Sequence, residues 1–186
     1  MSYVEYLARE RDGSVKHEYV NGQIYAMAGG SPEHGRLAMA AGRLLGASLA
    51  ARPCAVFSSD VRVRIPATGR STYPDLSIVC ERLERAADDP EAITNPVVLV
   101  EVLSATTEAA DRGEKFAHYR RLFSLQEYVL IAQDVPRVEV FRRQGDTWIM
   151  SEYGPGQRVR LASLDVDFAL DELYHDPLGA RSGSSD

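Results

Sequence analysis

The chain has 186 residues, 45% of them hydrophobic and 26% charged, and a formal net charge of −6. That length suits one domain with a sizeable core, and the balance of apolar and charged residues excludes a disordered chain. The negative charge excludes general affinity for nucleic acid or an acidic membrane, so any polyanion site must be a local patch helped by bound metal.

Residues 2–11 read as a short helix broken by Arg11-Asp12-Gly13-Ser14. Its Glu5, Arg9, Glu10, Arg11 and Asp12 occupy positions that a secretory signal would keep apolar, and no stretch is long enough to span a bilayer, which points to the cytoplasm. Lys16-His17-Glu18-Tyr19-Val20 and Gln23-Ile24-Tyr25-Ala26-Met27 flank Asn21-Gly22, a strong hairpin signal. Ser31-Pro32-Glu33 is helix-start chemistry, and Leu37, Ala41, Leu44, Leu45, Ser48 and Leu49 recur at helical spacing, so a long helix is expected to run to Arg52, before Pro53.

Residues 55–58 and 60–65 read as strands. In the second, Arg62 and Arg64 alternate with apolar residues and are expected on a solvated face. A strand through Asp75 follows, then a charged loop over 81–89. Cys54 and Cys80 are too few for a disulfide framework, and Cys80 reads as an ordinary buried thiol. A wholly apolar strand around Glu101 comes next. A helix is then expected over 111–122, with Phe116, Tyr119, Leu122 and Phe123 toward the core and Gly113 weakening its start. Strands over 127–132, 137–142 and 147–151 follow, with a last strand and short helix within 157–174. The expected whole is a mixed α/β (α+β) domain over 1–178, built around one mixed sheet with an N-terminal β-hairpin and ending in a disordered tail over 179–186.

The apolar run Asn95-Pro96-Val97-Val98-Leu99-Val100-Glu101-Val102-Leu103-Ser104 contains one carboxylate, and a buried carboxylate must be paired, protonated or bound to metal. Asp75 lies in a similar setting. If the two strands are neighbours, Asp75, Glu101 and the Val102 carbonyl converge as three hard oxygen donors suited to Mg²⁺ or Mn²⁺ and to phosphodiester hydrolysis. Lys115, opening the next helix, is the candidate cation for orienting a water; the alternative is a solvated helix lysine. Asp75 equally suits a strand-entry turn. His34, in the first turn of the long helix, is either a proton shuttle near the site or a surface histidine. Arg112, Arg120 and Arg121 form either a phosphate patch or a solvated face.

Pro74-Asp75 and Glu101-Val102-Leu103-Ser104 resemble the PD-(D/E)xK nuclease motif. With His17-Glu18-Tyr19-Val20-Asn21-Gly22, Gly30-Ser31-Pro32-Glu33-His34 and Asp111-Arg112-Gly113-Glu114-Lys115-Phe116, the pattern resembles a bacterial family of restriction-endonuclease-like proteins of unknown function within that superfamily. The resemblance implies a restriction-endonuclease-like core, metal ligands at Asp75 and Glu101, and an upstream acid, for which Glu18 fits better than Glu33. It implies a Mg²⁺-dependent endonuclease acting on DNA, expected as a homodimer because nucleases of this fold often pair two sites. The alternative is a catalytically degenerate nucleic-acid or protein-interaction domain. The departure is at Leu103, where the motif has lysine; the family pattern moves that lysine to the following helix, at Lys115.

Overall fold

A computed structural model describes residues 1–13, 15–27 and 29–179, so the expected tail lies outside the described residues apart from Gly179. Local signals translate directly into elements. Helix α1 (Tyr3–Asp12) begins with a reciprocal cap, the Ser2 hydroxyl accepting from the Glu5 N–H and the Glu5 carboxylate accepting from the Ser2 N–H at 2.7 Å. Asn21 and Gly22, both at positive φ, turn β1 (His17–Val20) into β2 (Gln23–Ala26). Ser31 caps α2 (Pro32–Leu49), which stops short of Arg52 because Pro53 disfavours helical backbone just before it.

The middle of the chain supplies β3 (Cys54–Ser58), β4 (Arg62–Ile65), β5 (Arg70–Thr72), β6 (Leu76–Cys80), β7 (Arg85–Ala86), β8 (Asp89–Ile93) and β9 (Val98–Leu103). A helical segment follows as α3 (Glu108–Ala110), a π-helical turn (Asp111–Lys115) and α4 (Phe116–Tyr119). The chain closes with β10 (Glu127–Ala132), β11 (Val138–Gln144), β12 (Thr147–Tyr153), β13 (Arg158–Leu161), β14 (Val166–Ala169) and α5 (Leu170–Tyr174).

These strands form two six-stranded mixed sheets and the small β13–β14 hairpin, where one sheet was expected. The central sheet runs β12-β11-β10-β9-β6-β3, with the parallel pair β9 and β10 buried along their whole length. On one face it packs against α2, α5 and the β13–β14 hairpin through Leu37, Leu45, Val100, Val129 and Phe168. On the other, Leu99, Leu103, Tyr128 and Leu130 meet Tyr119 and, from β4, Val63 and Ile65. The second sheet, β2-β1-β5-β4-β8-β7, therefore lies over the face that carries Glu101.

Four local expectations are corrected. The 81–89 stretch is not a loop throughout: it contains β7 and opens β8, which pairs parallel with β4. Its acids, with α1, cover the face on which Arg62 and Arg64 were expected to meet solvent. Arg62 is buried in a bidentate pair with Asp89 (2.8 and 3.0 Å), and Arg64 pairs with Asp88 and stacks on the Tyr3 ring. Phe123 is 92% exposed, because the helix ends at Tyr119 and the turn beyond it leaves Leu122 and Leu125 to face the core. Cys54 and Cys80 are not free thiols: they face each other across β3 and β6 and form a disulfide. Closing a loop of sequence separation 26 stabilises by about 3–4 kcal/mol in the chain-entropy account. The Cys54→Ala/Cys80→Ala variant should show that loss in denaturant unfolding, and added dithiothreitol should bring the wild type down to the same stability while leaving the variant unmoved.

Candidate active site

The site is built where β6 begins and β9 ends. Leu76 pairs with Val100, so continuing the antiparallel register by two residues sets Pro74 opposite Val102. Proline has no N–H, so the ladder offers the Val102 carbonyl no donor. The Val102 N–H donates instead to Asp75 Oδ2, at 2.7 Å. The Pro-Asp pair thus ends the ladder locally, leaves the Val102 carbonyl to a side-chain donor, His34, and pins a carboxylate beside it. His34, brought by the first turn of α2, places Nε2 3.2 Å from the same Asp75 oxygen. Hydrogen bonding to Asp75 outweighs burial and, with the Asp75 and Glu101 charges and a hydrogen bond to the Val102 carbonyl, raises the His34 pKa. A Cβ on Gly30 would stand 2.8 Å from His34 Nδ1, so Gly30→Ala should push the ring off Asp75. The His34 pKa would then fall toward the ordinary value of about 6.5, as an NMR titration would read.

Glu101 projects from the middle of β9 and is 3% exposed. Its Oε1 accepts from the Tyr119 hydroxyl at 2.7 Å and from Lys115 Nζ at 3.3 Å. Burial, reinforced by the Asp75 and Asp111 charges, pushes its carboxyl up to about 8 despite Lys115 and Tyr119. Lys115 Nζ also lies 2.9 Å from Asp111 Oδ1 and 3.4 Å from Glu18 Oε1. Burial works against its charge, but Glu101, Glu18 and Asp111 prevail and hold the ammonium well above the usual lysine range. Glu18 arrives from β1, where Arg70 Nη2 donates to it at 2.6 Å and the Thr72 hydroxyl donates to its other oxygen. Burial opposes its ionisation too, and Lys115 and Arg70 reverse that, lowering its pKa.

The fold therefore brings Asp75, Glu101, Val102, Lys115, Glu18 and His34 to one place. Arg112 is turned elsewhere, paired with Glu108 and Glu139, while Arg120 and Arg121 are exposed beyond α4. Sequence reasoning passed over Asp111, which looks like first-turn acid chemistry, and assigned Tyr119 to packing; the structure also gives its hydroxyl to Glu101. It passed over Arg70 and Thr72 as well. One signal was available for Lys115: of 21 lysines and arginines, only Lys16 and Lys115 are lysines. A chain that otherwise uses arginine has placed its compact, single-point cation among three carboxylates.

The donor set fits a small divalent cation. Among the described residues nothing donates to Asp75 Oδ1 or Glu101 Oε2, and the Val102 carbonyl shares their edge. These are hard oxygens of the kind Mg²⁺ and Mn²⁺ take, and such ions keep several waters. No cluster of three His, Cys, Asp or Glu side chains stands ready to hold a metal among the described residues, so further positions would fall to water and substrate oxygens. No described helix is long and apolar enough to cross a membrane.

Comparison with known proteins agrees with this architecture. The chain is 36% identical over 175 residues to the uncharacterized protein slr1290 of Synechocystis sp., covering 94% of this chain and 91% of that one. A second uncharacterized Synechocystis protein, sll1609, is 36% identical over 153 residues, covering 82% and 86%. The crystal structure of "a putative nuclease belonging to DUF820" from Anabaena variabilis matches with a TM-score of 0.70 at 19% identity, over 85% of this chain and 89% of that one, which establishes a shared fold. Residues 3–171 match the Uma2 family model, and the chain accordingly belongs to the Uma2 family, described as "Putative restriction endonuclease".

Proposed function

We propose that this chain is a divalent-metal-dependent endonuclease that hydrolyses phosphodiester bonds in DNA. One observation carries the reading: the fold delivers Lys115 from a helix to Glu101, although the strand position for such a lysine is taken by Leu103. A buried ammonium shared by three carboxylates, Glu101, Glu18 and Asp111, is costly to assemble for stability alone. The family description and the fold shared with the Anabaena variabilis structure point the same way.

In this reading Asp75 and Glu101, with the Val102 carbonyl, hold Mg²⁺ or Mn²⁺. When bound, the ion lowers the pKa of a coordinated water and offsets charge on the phosphorus centre. The protein groups supply the rest. Lys115 donates toward the attacking water and balances negative charge as it develops. Glu18 shares Lys115 with Glu101 and so fixes where the ammonium stands. His34, its pKa raised, is a proton donor for the leaving oxygen at the rim.

A second reading, a degenerate domain that binds without turnover, is favoured by the fact that Lys115 and Tyr119 already satisfy one oxygen of Glu101. Two measurements separate the readings: a calorimetric titration with Mn²⁺, and incubation of plasmid DNA and RNA with Mg²⁺ or with chelator. The nuclease reading expects saturable, carboxylate-dependent binding and metal-dependent cleavage of DNA. Absence of both in the folded protein would leave only the second reading.

A further inference from the structure

We infer that Asp111, presented by the π-helical turn Asp111–Lys115, is the positioning residue that allows a lysine borne on a helix to serve Glu101 in place of one borne on the strand. Its catalytic consequence rests on the nuclease reading above; its structural content does not.

Leu103, two residues beyond Glu101, shares the Glu101 face of β9 and is packed among Val79, Leu99 and Tyr119. That position is apolar and sealed, so the cation must come from another element. A lysine on a helix is a poor substitute by itself, because its four-carbon stem has many rotamers and its ammonium has no preferred direction. Three carboxylates supply direction here, and the shortest of the three contacts is Asp111 Oδ1, at 2.9 Å against 3.3 Å to Glu101 and 3.4 Å to Glu18.

Asp111 sits four residues before Lys115, the acid-first order that suits an ion pair along a helix. It is 1% exposed, and apart from the ammonium its Oδ1 has no partner among the described residues. A carboxylate placed so deep with one cation for its oxygen is there to hold that cation. The backbone around it is held as well, since the Tyr128 hydroxyl of β10 donates to the Asp111 carbonyl at 3.1 Å.

The π turn supplies the direction. Widening one turn inserts an extra residue and re-phases the side chains beyond it, and such turns recur at functional sites. Lys115, at the end of this one, and Tyr119, one turn beyond, both reach the same oxygen of Glu101, which leaves the other oxygen open. The segment that sequence periodicity reads as an ordinary helix with a weak start is the π turn that aims the cation.

The test uses the full chain and Asp111→Asn, which keeps the shape and removes the charge, with Asp111→Glu as the conservative partner. With Mn²⁺ and plasmid DNA, Asp111→Asn should lower kcat about 10–100-fold, as loss of an outer partner does, while leaving KM unchanged and calorimetric Mn²⁺ binding no weaker. Asp111→Glu should recover most of the loss. Because the chain has only two lysines, ¹⁵N-lysine labelling gives two ammonium signals, and the ordered Lys115 signal should broaden or vanish in Asp111→Asn and persist in Asp111→Glu. An unchanged kcat with an unchanged signal overturns the inference. So does a fall in Mn²⁺ affinity that accounts for the loss of rate, since Asp111 would then act on the ligands. If the wild type cleaves nothing, the lysine signal still decides: its loss in Asp111→Asn supports the positioning role while the nuclease reading fails, and its persistence overturns the role itself.

Discussion

Asp75→Asn and Glu101→Gln should each abolish saturable Mn²⁺ binding and reduce metal-dependent cleavage by on the order of 10³-fold, more than the 10–100-fold that loss of an outer partner costs. Both substitutions preserve shape, so the circular dichroism spectrum should stay native. The Glu101 result carries a pH signature. Its carboxyl titrates near 8 in the folded chain, well above an ordinary glutamate, so the proton must leave before a cation can bind. Mn²⁺ affinity of the wild type should therefore rise about tenfold per pH unit up to about pH 8 and then level off. The same shift acts on the metal-free protein with a definite sign. A folded pKa above the unfolded one favours the protonated native state, so this contribution is fully present below about pH 4.5 and is lost as pH rises through about 8. In chelator, Glu101→Gln should consequently gain on the wild type across that window, by a few kcal/mol on the order-of-magnitude conversion of pKa into free energy. Equal pH dependence of the two proteins would contradict the burial argument.

Lys115→Met should destabilise the chain by about 3–5 kcal/mol as well as inactivate it, because the substitution leaves Asp111, Glu101 and Glu18 buried without the cation they share. The loss should be smaller below pH 8, where Glu101 can take up a proton, and larger above it. Glu18 retains Arg70 and tolerates the change better than Asp111 does. A double variant, Lys115→Met with Asp111→Asn, should thus recover much of the stability and none of the activity. Urea unfolding of the single and double variants measures the coupling directly. Additive effects would mean that the two residues do not act as one unit.

The hairpin at Asn21-Gly22, the cap at Ser31, the apolar β9 and its lone carboxylate were all legible from residue order. So were Asp75, Lys115 and His34 as candidates, although each kept a bland alternative until the fold set them side by side. Asp111 was not legible, since an acid at that place also suits a helix start, and a period of 3.6 residues does not reveal a π turn. Tyr119 read as core, which it is; only its hydroxyl partner was hidden. Arg62 and Arg64 misled for a related reason: alternation predicts two faces of a strand but does not say whether a second layer will cover the polar one. Cys54 and Cys80 were too few to suggest a framework, yet register made them neighbours.

Residue order alone settled the features that depend on contacts a few residues apart: caps, tight turns, the alternation of strands and the burial of a strand with no polar face. Side chain and backbone fix those locally, within one turn or one hairpin. Long-range packing was needed to set the second sheet, the partners of Glu18 and the rotation of the helix that carries Lys115. These depend on which strands pair across long separations and on how much water each pairing removes, and burial then sets the charge and the pKa of every group at the site.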